Sequence, residues 1–328
     1  MIFCGDTSLK DLSDIFDGVR LISGGDYSEK KQTITLDGLH KENPTWSVGD
    51  MSFGQNHLYE IKQTNRKTVF PVYSADETGG APDKADVTLL YCPAKQKTKK
   101  TFALLLSGGA YGAVCTLCEG LPVAARLNEL GIDAFCLNYR TATRESFHTG
   151  LMPKPIEDVA AALRLIRQNF SELNGDYFVG GFSAGAHLAT LWGTKHLGAS
   201  SFSEPQPKML MLAYPLFSLL SPSEPIKQLL IRGLFGENGT QEDAKRYCAA
   251  YGMDEEYPPV YIVRAEDDPT VSVQDTQFLI RTLENAGIGY RYENAPSGGH
   301  GFGLGTETPF FGWVDRAVEY YEKNKITI

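Results

Sequence analysis

A mostly parallel β-sheet with helices on both faces is the fold this sequence predicts, on three observations. From about residue 68 onward, short apolar runs alternate with longer amphipathic ones. Several of the short runs are apolar without interruption, as strands covered on both faces must be. Finally, Gly181-Phe182-Ser183-Ala184-Gly185 sits between a strand-like run and a helix-like run, where the chain must fold back sharply. Residues 68–328 read as one unit of this kind. It is preceded by an extension over 1–67 and interrupted by an insertion at about 216–257.

The strand-like runs are Thr68–Tyr73, Val87–Cys92, Phe102–Leu106, Ala134–Tyr139, Tyr177–Val179, Met209–Ala213, Val260–Arg264 and Tyr290–Glu293. The helix-like runs are Leu121–Leu130, Ile156–Asn169, Ala186–Trp192, Gln274–Ala286 and Phe310–Lys323. Gly131 suits a left-handed cap to the first helix. Ala160, Ala161, Leu163, Leu165 and Ile166 give the second an apolar face for the sheet. The first one or two strands are expected to run antiparallel. The basic run Lys95–Lys100 lies between two strands and reads as a solvated hairpin loop. Residues 1–67 show no sustained period, which predicts either an arm over the site or a poorly ordered extension. The insertion carries two helix-like runs, Pro225–Leu234 and Gln241–Tyr251, and its position makes it a candidate lid.

Composition narrows the function. The chain has 328 residues, with 42% hydrophobic and 22% charged, so it can bury a large core. A net charge of −9 disfavours nucleic acid and anionic membranes as partners. The run Met1-Ile2-Phe3-Cys4-Gly5-Asp6 does not read as a signal peptide, and no segment has the length and apolarity of a membrane span. Six cysteines are too sparse for a disulfide scaffold, and Cys92 and Cys136 fall in strand-like runs. A reducing cytoplasm is the simplest expectation. A homo-oligomer is compatible with the sequence.

The chemistry is carried by three loops that follow strands, where ligands sit in such sheets. Ser183, held between glycines, is built to expose its hydroxyl at a strand end. A serine needs a base in hydrogen-bond reach and an acid to orient that base. In this fold they follow in the chain order serine, acid, histidine. Glu266, Asp267 and Asp268 follow the strand at 260–264, and Pro269 favours an extended Asp268 aimed away from it. Asp268 is therefore the expected acid, with Asp267 next and Glu266 last.

His300 follows the last strand among glycines and is the expected base. His40 and His57 precede the fold, and His196 lies at the far end of its helix. His187 suits a buried packing role, while His148 is the only serious rival. The oxyanion hole is expected from the amides of Gly109, Ala110 and Ala184. Tyr111 and Phe182, beside these amides, are candidates for substrate contact. The loop Leu106–Gly112 has neither the spacing nor the lysine of a phosphate loop. Cys115-Thr116-Leu117-Cys118 lacks a second ligand pair and reads as two thiols at a helix start. No metal or organic cofactor is implied.

These motifs together resemble the α/β-hydrolase superfamily, in particular its bacterial esterase/lipase-like branch, which includes acetyl-xylan-esterase-like proteins. The resemblance covers roughly residues 68–325. It rests on Gly108-Gly109-Ala110-Tyr111-Gly112, Asn138-Tyr139-Arg140, Gly181 to Leu188, Asp267-Asp268-Pro269-Thr270-Val271 and Gly299-His300-Gly301. It implies an α/β-hydrolase fold and a nucleophile, acid and base at Ser183, Asp268 and His300. Two departures stand out: Ser107-Gly108-Gly109-Ala110 where many relatives carry His-Gly-Gly-Gly, and Ala186 where they often carry glycine. The expected activity is hydrolysis of carboxylic esters through an acyl-enzyme, on small acyl groups or acetylated sugars. The same triad also suits a serine peptidase or acyltransferase. A binding protein that keeps the fold without turnover is the third reading.

Overall fold

The computed structural model describes residues 3–28, 30–173, 176–220 and 225–325. Met1 and Ile2 of the amino-terminal run, and 221–224 of the insertion, lie outside the described residues.

In chain order the helices are α1 (Leu9–Ile15), α2 (Leu36–Glu42), α3 (Val48–Lys62), α4 (Ala75–Thr78), α5 (Gly120–Glu129), α6 (Ser146–Thr149), α7 (Lys154–Asn169), α8 (Ala184–Trp192), α9 (Pro225–Phe235), α10 (Gln241–Arg246), α11 (Val273–Asn285) and α12 (Trp313–Lys325). The strands are β1 (Val69–Pro71), β2 (Thr88–Cys92), β3 (Phe102–Leu106), β4 (Asp133–Asn138), β5 (Tyr177–Phe182), β6 (Leu210–Ala213), β7 (Val260–Ala265) and β8 (Tyr290–Ala295). They form one eight-stranded sheet in the order β1-β2-β4-β3-β5-β6-β7-β8. The β1–β2 and β2–β4 pairs are antiparallel and all others parallel.

All eight expected strands are present. The central ones are buried on both faces because alternate side chains enter two separate cores. Phe102, Leu104 and Leu106 of β3 point into the layer that holds α7, α8 and α11. Ala103 and Leu105 point into the layer of α5 and α12. On α7, Ile156, Val159, Ala160, Leu163 and Ile166 recur at helical spacing and are buried against the sheet. Every residue of α8 is buried, which explains its unbroken apolar and small-residue sequence. Leu188, Leu191 and Trp192 each contribute about 2–3 kcal/mol by that burial. Gly131 closes α5 at φ +78°, and a Cβ there would meet Thr98 Oγ1 at 2.0 Å.

Two expectations need correction. The run Lys95–Lys100 is not a hairpin loop, because β4 lies between β2 and β3 in the sheet. It crosses over β4, and three of its four lysines, Lys95, Lys97 and Lys99, are paired with acids. Lys97 pairs with Asp133 at 3.0 Å, and Lys99 pairs with Glu322. Residues 1–67, read as lacking a period, hold three capped helices. Ser8 and Asp11 form a reciprocal capping box on α1, Thr35 caps α2 and Ser47 caps α3. The longest, α3, turns Asp50, Gly54, Gln55 and His57 inward along with Met51, Leu58 and Ile61. Polar and small residues on the buried side erase the hydropathy rhythm a sequence reading depends on. The three helices cover the layer of α5 and α12.

No helix among the described residues is long and apolar enough to cross a membrane.

Candidate active site

The turn between β5 and α8 holds Ser183 at φ 51° and ψ −118°, a strained conformation for a residue with a side chain. Close contact on both sides dictates the flanking glycines. A Cβ on Gly181 would lie 2.6 Å from Ala186 Cα, and one on Gly185 would lie 2.0 Å from Leu106 O. Ser183 donates its amide to Ala213 O and accepts Leu216 N at its carbonyl, so β6 and the chain beyond it hold the strained turn in place.

His300 follows β8. Its Nε2 lies 2.8 Å from Ser183 Oγ and its Nδ1 lies 2.8 Å from Asp268 Oδ2. The Asp268 side chain is fully buried, and its Oδ1 accepts the amides of Thr270 and Val271 at 2.8 and 3.0 Å. A carboxylate only accepts, so Nδ1 carries the imidazole proton and Nε2 is free to accept the serine hydroxyl. The other two carboxylates of the acidic turn are engaged elsewhere. Asp267 accepts Gly299 N at 2.8 Å, and Glu266 accepts Asn294 Nδ2 at 2.6 Å. Thr45, between α2 and α3, donates to His300 O at 2.5 Å, so the amino-terminal helices brace the histidine loop.

Of the six histidines, His300 is the one that reaches Ser183. His148 lies exposed on α6, 3.2 Å from Glu237. His187 is buried; its Nε2 donates to Tyr247 O at 2.9 Å, and its Nδ1 accepts the Tyr111 hydroxyl at 2.8 Å. Burial pushes its pKa down to about 4, from an ordinary 6.5. In the unfolded chain this ring takes a proton below about pH 6.5; in the folded protein it stays neutral until about 4. The stability it contributes is complete above 6.5 and is lost as pH falls through that window, by about 3 kcal/mol. Replacing His187 with glutamine should therefore lower stability at pH 7. The gap to wild type should then narrow by up to that amount by pH 4. Urea unfolding of both proteins across this range checks it, and a constant gap refutes it.

The loop after β3 is pinned from several sides. Tyr139 donates to Ser107 O at 2.6 Å, Gly108 O accepts Cys115 N, and Gly109 O accepts both Gly112 N and Ala113 N. Among the described residues the amides of Gly109, Ala110 and Ala184 have no backbone acceptor. Ala110 and Ala184 border a cleft of about 30 Å³ over Ser183; Gly109 is not among its lining residues. Leu216, Leu230 and Val271 supply the apolar walls. Lys227 of α9 closes one side, its ammonium 3.3 Å from the buried Asp275.

The two side chains expected against substrate do not border this cleft. Tyr111 is buried and bonded to His187, and Phe182 packs beneath the sheet against Tyr214 and Trp313. The reason for Phe182 is strand alternation: along β5 it shares the face of Phe178, which lies in the layer of α5 and α12, while Tyr177 and Val179 face the other layer. Cys115 and Cys118 precede α5 rather than start it. Both are buried, and burial pushes their thiols well up, away from the thiolate that redox or metal chemistry needs.

Sequence reasoning missed three residues of this neighbourhood. Glu119, Tyr214 and Lys227 are all buried close to the serine. A lone acid within Cys118-Glu119-Gly120-Leu121-Pro122-Val123 and a tyrosine just past β6 were visible signals. An isolated charge in an apolar run is seldom placed there without a partner.

The BD-FAE family model matches residues 89–283 of the chain. Endo-1,4-beta-xylanase B of Butyrivibrio fibrisolvens is 28% identical over 298 residues, 88% of this chain and 45% of that protein. Acetylxylan esterase of Xylanibacter ruminicola is 29% identical over 212 residues, 61% of this chain and 40% of that one. The chain thus spans less than half the length of these two relatives. Among solved structures, an acetyl ester-xyloside bifunctional hydrolase from Caldicellulosiruptor lactoaceticus superposes with a TM-score of 0.63 at 25% identity, covering 79% of this chain and 96% of that one. The fold is that of the α/β hydrolases.

Proposed function

The chain belongs to the BD-FAE family, and from that premise we propose that it is a serine hydrolase of carboxylic esters. The observation that carries the reading is the continuous relay from Asp268 through His300 to Ser183, with 2.8 Å at each link. Ser183 attacks the ester carbonyl while His300 Nε2 takes its proton. The amides of Ala110 and Ala184 stabilise the oxyanion, and His300 returns the proton to the leaving alcohol. Water, activated by the same imidazole, then releases the acid. Asp268 keeps the imidazole in the required tautomer throughout.

The size of the cleft favours a small acyl group. A volume of about 30 Å³ has room for two or three water-sized probes, which suits acetyl better than a long chain. The names of the relatives, an acetylxylan esterase among them, support acetylated sugars as the alcohol side. Glycoside cleavage is disfavoured at this centre, because it calls for two carboxyl groups flanking the bond and, among the described residues, the cleft over Ser183 is lined by one lysine and no acid. With six unpaired cysteines, a cytoplasmic location is proposed as well.

A fluorophosphonate probe should label Ser183. Turnover should be fast on p-nitrophenyl acetate and acetylated xylo-oligosaccharides, and fall steeply as the acyl chain lengthens from acetyl to octanoyl. A protein that cleaves peptides or transfers acyl groups while leaving these esters intact would overturn the reading.

A further inference from the structure

Behind the serine lies a buried acid that the relay does not use. Glu119 Oε2 accepts the amide of Gly108 at 2.5 Å, and its Oε1 accepts the Tyr214 hydroxyl at 3.0 Å. The Tyr214 oxygen in turn accepts the amide of Gly303 at 3.1 Å. Each of these contacts belongs to a different part of the site. Gly108 opens the oxyanion loop, and a Cβ on it would be 2.8 Å from Ser183 Cβ. Tyr214 follows β6 and sets its ring edge-on to the His300 imidazole, with centroids 4.9 Å apart. Gly303 belongs to the histidine loop, whose Phe302 also meets the Tyr214 ring at 4.7 Å.

The proton count in this network is closed. Three donors (Gly108 N–H, Tyr214 O–H and Gly303 N–H) meet three acceptors, provided Glu119 is ionised. A proton on Oε2 would face the Gly108 amide, donor against donor. A proton on Oε1 would have to be donated to Tyr214 and would leave the tyrosine's own hydrogen without an acceptor. Either placement strands a buried donor, which is costly.

We propose that Glu119 is a positioning residue that, as the carboxylate, ties the oxyanion loop to the loop carrying His300 and so holds both halves of the site in register. This rests on the esterase reading above. From the elements packed round it, the titratable groups facing Glu119 are Cys115 and Cys118 on its own loop, Tyr139 after β4, Tyr214 after β6 and His300 after β8. Of these, His300 is the one able to supply positive charge. Burial, opposed only in part by the bonds from Gly108 and Tyr214 and by His300, lifts the carboxyl to about 7. The tie is therefore sensitive to protonation near neutral pH.

The test is the pH profile of kcat/KM for p-nitrophenyl acetate between pH 5 and 9, with fluorophosphonate labelling and thermal unfolding at each pH. In the wild type, activity needs an ionised Glu119, so loss of the tie adds to the fall on the acid limb. In Glu119→Gln that ionisation is gone. The limb is shallower, and kcat at the optimum falls about 10- to 100-fold with a smaller change in KM. A merely structural role would lower activity at every pH and leave the slope unchanged, and that result overturns the proposal. If Glu119→Gln does not fold, Tyr214→Phe carries the test. It removes a bond that favours the carboxylate, so the limb moves to higher pH; an unmoved limb overturns the proposal. A wild type that neither turns over nor labels overturns the esterase reading and this inference with it. A labelled, active wild type whose variants keep its limb overturns this inference alone.

Discussion

Replacing Ser183 with alanine should lower kcat on p-nitrophenyl acetate by about 10⁴- to 10⁶-fold while leaving the fold intact. The alanine keeps the backbone of the turn, and the amides of Ala110 and Ala184 stay at the cleft, so a residual rate above that of water should survive. What disappears is the nucleophile 2.8 Å from His300 Nε2. A companion substitution separates chemistry from strain. Ser183 holds φ 51°, a region glycine enters freely, so Ser183→Gly should be as inactive as the alanine variant yet more stable than wild type by about 1–2 kcal/mol. Steady-state kinetics corrected for background hydrolysis, alongside urea unfolding, measure both. Alanine-variant turnover within tenfold of wild type would remove Ser183 from the mechanism.

Asp268→Asn should cost about 10³- to 10⁴-fold in kcat, and here the structure supplies the reason. Oδ1 of Asp268 accepts two backbone amides, from Thr270 and Val271. In the asparagine variant the carbonyl oxygen must stay on those donors, which turns the NH2 group toward His300 Nδ1. The imidazole is then driven into the opposite tautomer, with Nε2 protonated and unable to accept the serine proton. Asp267→Asn is the internal control. Its oxygen still accepts Gly299 N, so kcat should stay within about threefold of wild type. Equal losses in the two variants, measured as kcat/KM at pH 8, would overturn the assignment of the acid.

The strand runs and the serine turn were legible in the sequence for a local reason: pleat, helix turn and tight bend each constrain side chains close together in the chain. Short unbroken apolar runs bounded by turn residues read as covered strands, and Gly181 and Gly185 answer contacts within a few residues or with the adjoining strand. The chain order of serine, acid and histidine likewise pointed to Ser183, His300 and the acidic turn Glu266–Asp268 before any geometry was known, with Pro269 favouring Asp268 within it. The amino-terminal helices were not legible, because α3 buries Asp50, Gln55 and His57 and so shows no apolar stripe; only its cap at Ser47 and those at Ser8 and Thr35 marked them.

Sequence by itself therefore determined the strands, the turn that strains Ser183 and the identity of its candidate partners, since each follows from local spacing or from loop order along the chain. Tertiary structure alone decided which of three adjacent acids faces the imidazole, that Tyr111 and Phe182 turn away from the cleft, and that Glu119 and Tyr214 meet behind it. Those outcomes depend on side chains 11 to 95 residues apart converging, and on buried donors having to find acceptors wherever the fold offers them.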